Sequence, residues 1–121
     1  MRAERAAYEQ VREQIQEQSG PVLFLERALP WKEAVSGTGI LYVVYPSARG
    51  GYSIQAAPVG KNTTELKKPF PGSWRGRTGE ELAALTGISG FGFCHPGGFL
   101  CAADTKEDAR RIAEMALEAG R

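Results

Sequence analysis

Apolar residues near the N-terminus recur at the spacing of a helix. Ala7, Val11 and Ile15 repeat every four residues, and Tyr8 lies beside them. This spacing places the four side chains on one side of a helix over residues 3–18. The chain is therefore predicted to begin with an amphipathic helix that buries one apolar stripe.

The next apolar segments predict strands. Residues 21–26 (PVLFLE) form a short continuous apolar run, and residues 39–47 (GILYVVYPS) are rich in β-branched and aromatic side chains. Residues 52–59 alternate in character after a turn that contains two glycines, which predicts a hairpin with the preceding strand. Pro30 introduces a corner before this hairpin, and residues 31–35 predict one helical turn.

A long segment without periodicity separates this hairpin from the next helix. Residues 60–77 contain two prolines and no hydrophobic period, so they are predicted to be an ordered loop. The pattern from Thr78 to Glu81 is that of a capping box, in which a threonine and a glutamate satisfy the first helical N–H groups. It predicts a short helix that ends at Gly87.

The C-terminal part predicts a second hairpin and a final helix. Residues 91–94 and 99–103 have the apolar character of strands, joined through the glycine-rich turn between them. Asp104 with Glu107 forms a second capping-box pattern, which opens a helix that runs to about Ala119. The helical period predicts that this helix buries four residues: Ala109, Ile112, Ala113 and Ala116.

The order helix, strand, hairpin, helix, hairpin, helix defines the expected fold. Hairpins join antiparallel strands, and amphipathic helices cover a sheet with their apolar stripes. We therefore predict an α+β fold of two layers, in which the N-terminal and C-terminal helices cover one face of a largely antiparallel sheet. The length of 121 residues and the absence of repeats or linkers predict a single domain over residues 1–121.

The charge of the chain is unevenly distributed. The formal net charge is +1, but the segment 61–77 carries one acid, Glu65, and five bases: Lys61, Lys67, Lys68, Arg75 and Arg77. Such a local excess can attract anions, and it is also typical of a solvated loop. The charged N-terminus lacks an apolar signal core, and the apolar runs are too short to span a bilayer. These features predict a soluble, cytoplasmic protein without a membrane partner.

The residue inventory argues against a metal-dependent hydrolase that acts alone. The chain has one histidine, His95, and few acids outside the predicted helices. Catalytic metal centres need several convergent His, Asp, Glu or Cys ligands. Cys94, His95 and Cys101 are a candidate set for one soft metal, but no CxxC pair accompanies them. Cys94 and His95 are neighbours in a strand, so their side chains should diverge. The two cysteines are predicted to be buried thiols rather than a disulfide.

Two stretches offer ligand-binding chemistry. His95 precedes Gly97 and Gly98, whose missing side chains would let a ligand approach the backbone N–H groups. Trp74 and Arg75 combine a flat apolar ring with a planar cation, which suits base stacking and phosphate binding. The alternatives are structural: the first stretch is then only a hairpin turn, and Trp74 closes the edge of the core.

The chain resembles the C-terminal part of the melanocyte-proliferating-gene family. The resemblance follows the order of five blocks: PWKE (30–33), LYVVYPS (41–47), IQAAPV (54–59), KKPFPGSWRGRTGEELAALTGISG (67–90) and FCHPGGF (93–99). Family members are grouped with the DHH phosphoesterases and are about three times longer. Their N-terminal domain carries the Asp and His ligands for divalent metals, Mn or Mg, and nothing here corresponds to it. The residues after Phe99 also depart from the family pattern.

The resemblance implies an accessory domain that grips substrate and contains no catalytic metal of its own. It makes His95, Gly97 and Gly98 candidate phosphate contacts, with Arg75 and Lys67 as added charge. Trp74 is the candidate stacking residue from its own chemistry. The expected ligands are nucleotides or single-stranded nucleic acid. Three alternatives stay open: a module that dimerises or docks on a separately encoded DHH catalytic chain, an enzyme with His95 as general base, and a piece of a longer gene.

Overall fold

A computed structural model of the chain describes residues 2–60 and 62–119. The helices are α1 (Arg2–Gln18), α2 (Lys32–Val35), α3 (Gly79–Thr86) and α4 (Lys106–Glu118). The strands are β1 (Val22–Phe24), β2 (Tyr42–Pro46), β3 (Tyr52–Ala56), β4 (Phe91–Cys94) and β5 (Leu100–Ala103). Each element predicted from the pattern is therefore present, although most of the strands are shorter than the apolar runs that predicted them.

The five strands form one sheet in the order β1-β2-β3-β5-β4. The pairs β2–β3, β3–β5 and β4–β5 are antiparallel, and only β1–β2 is parallel. This confirms the predicted α+β class with a largely antiparallel sheet. The two hairpins β2–β3 and β4–β5 lie side by side, so the turn that contains His95 belongs to the same sheet as the central strand.

Successive residues of β2 enter two different hydrophobic clusters. Tyr42 and Val44 pack with α4, Leu82 of α3 and the aromatic residues of the 60–77 loop. Val43 packs with Val11 of α1 and with α2. Because successive strand residues point to opposite faces, the two clusters lie on opposite sides of the sheet. The C-terminal helix thus covers the face with the larger core, and the N-terminal helix covers the other face beside β1 and β2. The sequence had predicted both helices on one face.

The long loop between β3 and α3 contributes an aromatic stack to the larger core. Phe70 stacks on Tyr42 at 5.0 Å between ring centroids and on Trp74 at 6.2 Å, and Trp74 meets Phe91 edge-on at 5.2 Å. Phe70 and Phe91 are almost completely buried. Aromatic rings bury large areas and favour such offset and edge-on contacts. The loop is therefore held to the domain by its own side chains.

The helix starts differ in detail from the predicted capping boxes. The prediction that Asp104 caps α4 is wrong: the side chain of Thr105 accepts the N–H of Asp108 at 3.0 Å. Asp104 instead donates its own N–H to the carbonyl of Gly90. Thr78 precedes α3 without a side-chain cap bond, and Glu81 lies beside Arg77 rather than closing a box. The four residues predicted to be buried by α4 are all buried.

No helix within the described residues is long and apolar enough to cross a bilayer.

Gly51 is the glycine whose replacement should damage the β2–β3 turn most. Its φ is +71°, and a Cβ there would lie 2.4 Å from the carbonyl oxygen of Ala103. We predict that Gly51→Ala lowers the free energy of unfolding by about 2–4 kcal/mol, because left-handed strain and overpacking add. Gly37→Ala is the matched control, since Gly37 has φ +77° and no atom within 4 Å. Equal losses in urea unfolding of the two variants would contradict the close contact.

Candidate functional site

The β4–β5 turn is a compact four-residue structure formed by His95, Pro96, Gly97 and Gly98. The His95 N–H donates to the carbonyl of Leu100 at 2.8 Å, and the Gly98 N–H donates to the carbonyl of His95 at 2.9 Å. Gly98 has φ +75°, a conformation that L side chains rarely adopt. The turn is thus closed by its own backbone, with Gly98 at the position that requires glycine.

The imidazole of His95 is oriented by the same turn. Its Nδ1 accepts the N–H of Gly97 at 2.9 Å, and its ring lies 4.5 Å from the ring of Phe99. Since Nδ1 accepts, the proton of the neutral ring resides on Nε2, which is left to donate. The N–H groups of Gly97 and Gly98 both donate within the turn. The glycines therefore shape the turn, and the donor that His95 offers to a ligand is Nε2–H.

The segment 70–77 is bound to this turn by backbone hydrogen bonds. The Phe70 N–H donates to the carbonyl of Gly98 at 2.9 Å. The Gly76 N–H donates to the carbonyl of Cys94 at 2.8 Å, and the Cys94 N–H donates to the carbonyl of Arg77 at 3.1 Å. These bonds continue the sheet beyond β4 and bring one part of the basic segment beside His95.

Arg75 is the base that this arrangement places on the turn. Its Nε donates to the carbonyl of Phe70 at 3.0 Å. A Cβ built on Gly98 would lie 2.6 Å from that Nε and 2.9 Å from Cζ, so the guanidinium lies directly on the glycine. Arg75 is nevertheless exposed to solvent. The turn therefore has the His95 ring against Gly97 and a fixed arginine against Gly98.

Lys67 is held by a different part of the chain. Its Nζ donates to three carbonyls, those of Val35 at 3.1 Å, Thr38 at 2.9 Å and Ile40 at 2.9 Å. An ammonium has three N–H donors, so all of them are used. Burial lowers the pKa of Lys67. Lys67 therefore links the 60–77 loop to the end of α2 and the residues after it. Its charge does not lie at the His95 turn.

The other bases of the segment also have partners away from the turn. Lys68 Nζ donates to the carbonyl of Ala119 at 2.8 Å. Arg77 Nε donates to the carbonyl of Ser73, and its guanidinium lies 3.5 Å from the Glu81 carboxylate. Lys61 lies outside the described residues. The predicted basic segment thus contributes one described cation, that of Arg75, to the turn.

Trp74 is part of the core rather than a surface for stacking. Only 5% of the residue is exposed, and its ring contacts Phe70 and Phe91. Base stacking would require an open ring face. The burial of Trp74 supports the alternative in which it closes the edge of the core. In that position it holds the backbone of the next residue, Arg75.

The two cysteines face each other across β4 and β5. Cys94 is the register partner of Cys101, and both are buried free thiols, as the sequence predicted. Hydrogen bonding from Cys101 lowers the pKa of Cys94, and Arg75 adds to this effect while burial opposes it. Burial raises the pKa of Cys101. Both thiols belong to the larger core.

The Cys94, His95 and Cys101 set does not fit a metal ion. Cys94 and Cys101 point into the larger core, whereas His95 follows Cys94 in the chain and faces the other way. Among the described residues, no group of three or more His, Cys, Asp or Glu side chains has the geometry to hold a metal. The divalent metal that the family resemblance implies therefore has no ligand set in the described part of this chain.

Sequence reasoning missed one residue that packs beside the turn, Phe99. Its ring flanks His95, and its carbonyl accepts the N–H of Ala56 at 2.8 Å, which joins the turn to β3. The signal was an aromatic residue directly after the glycine pair. The backbone carbonyl of Phe70, which holds Arg75, had no signal in the sequence.

Comparison with known proteins identifies the family of this chain. The MYG1_exonuc model, described as "Uncharacterised protein family (UPF0160)", matches residues 1–117. The chain belongs to the MYG1 family. It is 31% identical over 107 residues to the MYG1 protein of Dictyostelium discoideum, with 82% of this chain and 32% of the relative covered. It is 33% identical over 108 residues to the human MYG1 exonuclease, with 82% and 29% covered.

The family match confirms the resemblance at the level of the MYG1 family. The MYG1 protein C27H6.8 of Caenorhabditis elegans is 32% identical over 114 residues, covering 84% of this chain and 34% of the relative. This MYG1-family chain thus spans about a third of the length of the curated relatives that it matches. No solved structure matches it significantly.

Lys67→Met should test the structural role of this lysine. We expect a loss of about 2–3 kcal/mol in the free energy of unfolding, because the three carbonyls lose a charged donor. Lys68→Met is the neighbouring control, since Lys68 makes one such bond. Urea unfolding measures both variants. A Lys67→Met protein of unchanged stability would show that the ammonium is free for another role.

Proposed function

We propose that this chain is a substrate-binding domain for phosphate-bearing ligands, nucleotides or single-stranded nucleic acid, without catalytic metals of its own. The observation that carries the proposal is the position of Arg75 on Gly98, in the turn that also orients His95. A planar cation and an imidazole N–H at one exposed turn suit a phosphate group, which accepts several charge-assisted hydrogen bonds. The name of the human relative, MYG1 exonuclease, agrees with a nucleic acid ligand.

The roles of the turn residues follow from their bonds. Arg75 uses Nε for Phe70, so its terminal nitrogens contact the phosphate. His95 donates from Nε2, because Nδ1 is occupied by Gly97. Gly97 is exposed and has no side chain, so it leaves room for the ligand to approach. Gly98 keeps the space in which Arg75 lies. Lys67 and Trp74 support this site through the fold instead of contacting the ligand.

In this proposal the cleavage step belongs to a catalytic unit outside the described residues. Phosphoester cleavage by metal ions needs centres that activate water and neutralise developing charge. The described residues hold no such ligand set. The chain would therefore act as the accessory domain of a DHH-type catalytic unit, either in a longer protein or on a separate chain. That unit would supply divalent metal, Mn or Mg, as the family resemblance implies.

A second candidate function is docking on that catalytic chain or dimerisation. The observation that favours it is a partly exposed sheet surface beside the turn, which includes Ser53, Phe93, Leu100 and Ala102. Binding of phosphate ligands by the isolated chain separates the two functions. A docking module would bind no phosphate ligand by itself and would form dimers or heterocomplexes in light scattering.

Arg75→Ala tests the proposal through its main charge. We expect a ten- to hundredfold weaker affinity for a short single-stranded RNA, because a charge-assisted hydrogen bond contributes about 1.5–3 kcal/mol. Arg49→Ala is the matched control: Arg49 is exposed and lies at the opposite end of β3, near Tyr52. Fluorescence anisotropy at low salt measures both variants.

The salt dependence provides a second readout of the same experiment. The affinity of the parent chain should fall as salt rises, because phosphate contacts release counterions. The slope should decrease in Arg75→Ala and stay unchanged in Arg49→Ala. Equal affinities of the two variants, or no RNA binding by the parent at low salt, would contradict the proposal.

A further inference from the structure

One row of side chains crosses the sheet from β1 to the His95 turn. The register pairs Leu23 with Val43, Val43 with Gln55, and Gln55 with Leu100, while His95 donates to Leu100. Residues that lie opposite each other in a sheet share a face. His95 therefore lies on the same face as Gln55, two strand spacings away, or about 10 Å.

The helices α1 and α2 bury only the first part of this row. Leu23 and Val43 are completely buried beneath α1 and α2. Gln55, Leu100 and His95 are partly exposed. The half of the face nearest the turn is thus partly exposed. The packed helices α1 and α2 end beside it, and we refer to the edge formed by α2 as the step.

A cavity of about 410 Å³ lies between this step and the turn. The residues that line it include Gln55 and Ala56 of β3, Gly97 and Phe99 of the segment between β4 and β5, and Lys32 and Leu66. A volume of this size is within the range of small-molecule sites. No carboxylate lines the cavity in the part of the chain that the structure describes, whereas the cavity beside α4 is lined by Glu114 and Glu118. It is therefore compatible with a ligand that carries negative charge.

Gln55 is the amide side chain that lines this cavity. Its Oε1 accepts the hydroxyl of Tyr45 at 2.7 Å, which fixes the orientation of the amide. The Nε2 group keeps two N–H donors and has no hydrogen-bond partner among the described residues. These two donors can bind a ligand group that presents carbonyl oxygens. Thr63, Thr64 and Lys32 also line the cavity, and their side chains carry further hydrogen-bond donors.

We propose that this cavity is a nucleoside pocket, in which Gln55 donates to a carbonyl oxygen of the base of a nucleotide whose phosphate lies at the His95 turn. The inference rests on the proposed function, because it uses the phosphate site as its anchor. Uracil is the simplest base with carbonyl acceptors. The separation of about 10 Å between the row positions of Gln55 and His95 is one that a single nucleotide spans.

The test compares two ligands that share a phosphate and differ in the base. Uridine 5′-monophosphate and ribose 5-phosphate are titrated by calorimetry into the parent chain and into Gln55→Glu. The glutamate keeps an acceptor for Tyr45, removes the two donors and adds a negative charge. We expect the nucleotide to bind about tenfold tighter than the sugar phosphate to the parent, and about equally to Gln55→Glu. The ratio of affinities cancels any repulsion of the phosphate by the new charge.

The control is Gln16→Glu, because Gln16 is an exposed glutamine on α1. It should keep the tenfold ratio. Gln55→Met replaces Gln55→Glu if the latter fails to fold in thermal unfolding, and it should also reduce the ratio to about one. A ratio of one in the parent, or an unchanged ratio in the Gln55 variant that folds, overturns the pocket and leaves the phosphate site standing. Failure of both ligands to bind the parent overturns the proposed function and the pocket together.

Discussion

The candidate site depends on the backbone pairing between the segment 70–77 and the His95 turn. Phe70 donates to Gly98, Gly76 donates to Cys94, and Cys94 donates to Arg77. Each of these hydrogen bonds joins residues about 17 to 28 positions apart in sequence, so the pairing exists only in the folded domain. Without it, Arg75 would be one base in a solvated loop, and the turn would have a histidine and no cation. The aromatic stack of Phe70 and Trp74 stabilises this pairing from the core side.

Much of the fold follows from local patterns in the sequence. The helical period of α4 identified its four buried residues, and the glycine-containing turn identified the β2–β3 hairpin. These features depend on residues a few positions apart, which is why a single sequence reveals them. The parallel pairing of β1 with β2 has no such local signal. It follows from the packing of α1 and α2 against Val43, which only the complete fold defines.

The candidate site could be predicted only in outline. The glycine pair after His95 pointed to a turn that a ligand can approach, and the family resemblance supported that interpretation. The sequence did not reveal that both glycine N–H groups donate within the turn. The Gly97 bond depends on the orientation of the His95 ring, and the Gly98 bond depends on the backbone conformation that brings it to the His95 carbonyl. Lys67 and Arg75 lie in the same basic segment, and the sequence does not distinguish their roles. Three carbonyls from residues 35–40 bind one of them, and the carbonyl of Phe70 holds the other on Gly98.

The most direct test of a shared site at Arg75 and His95 is an NMR titration of the chain with inorganic phosphate. We predict saturable shifts of the His95 ring signals and of the Gly97 amide, with a smaller shift at Gly98 beneath Arg75. The amides of Gly37 and Gly50, which lie in other turns, should not move. Shifts that are confined to other residues, or signals of the turn that stay constant as phosphate is added, would contradict the site.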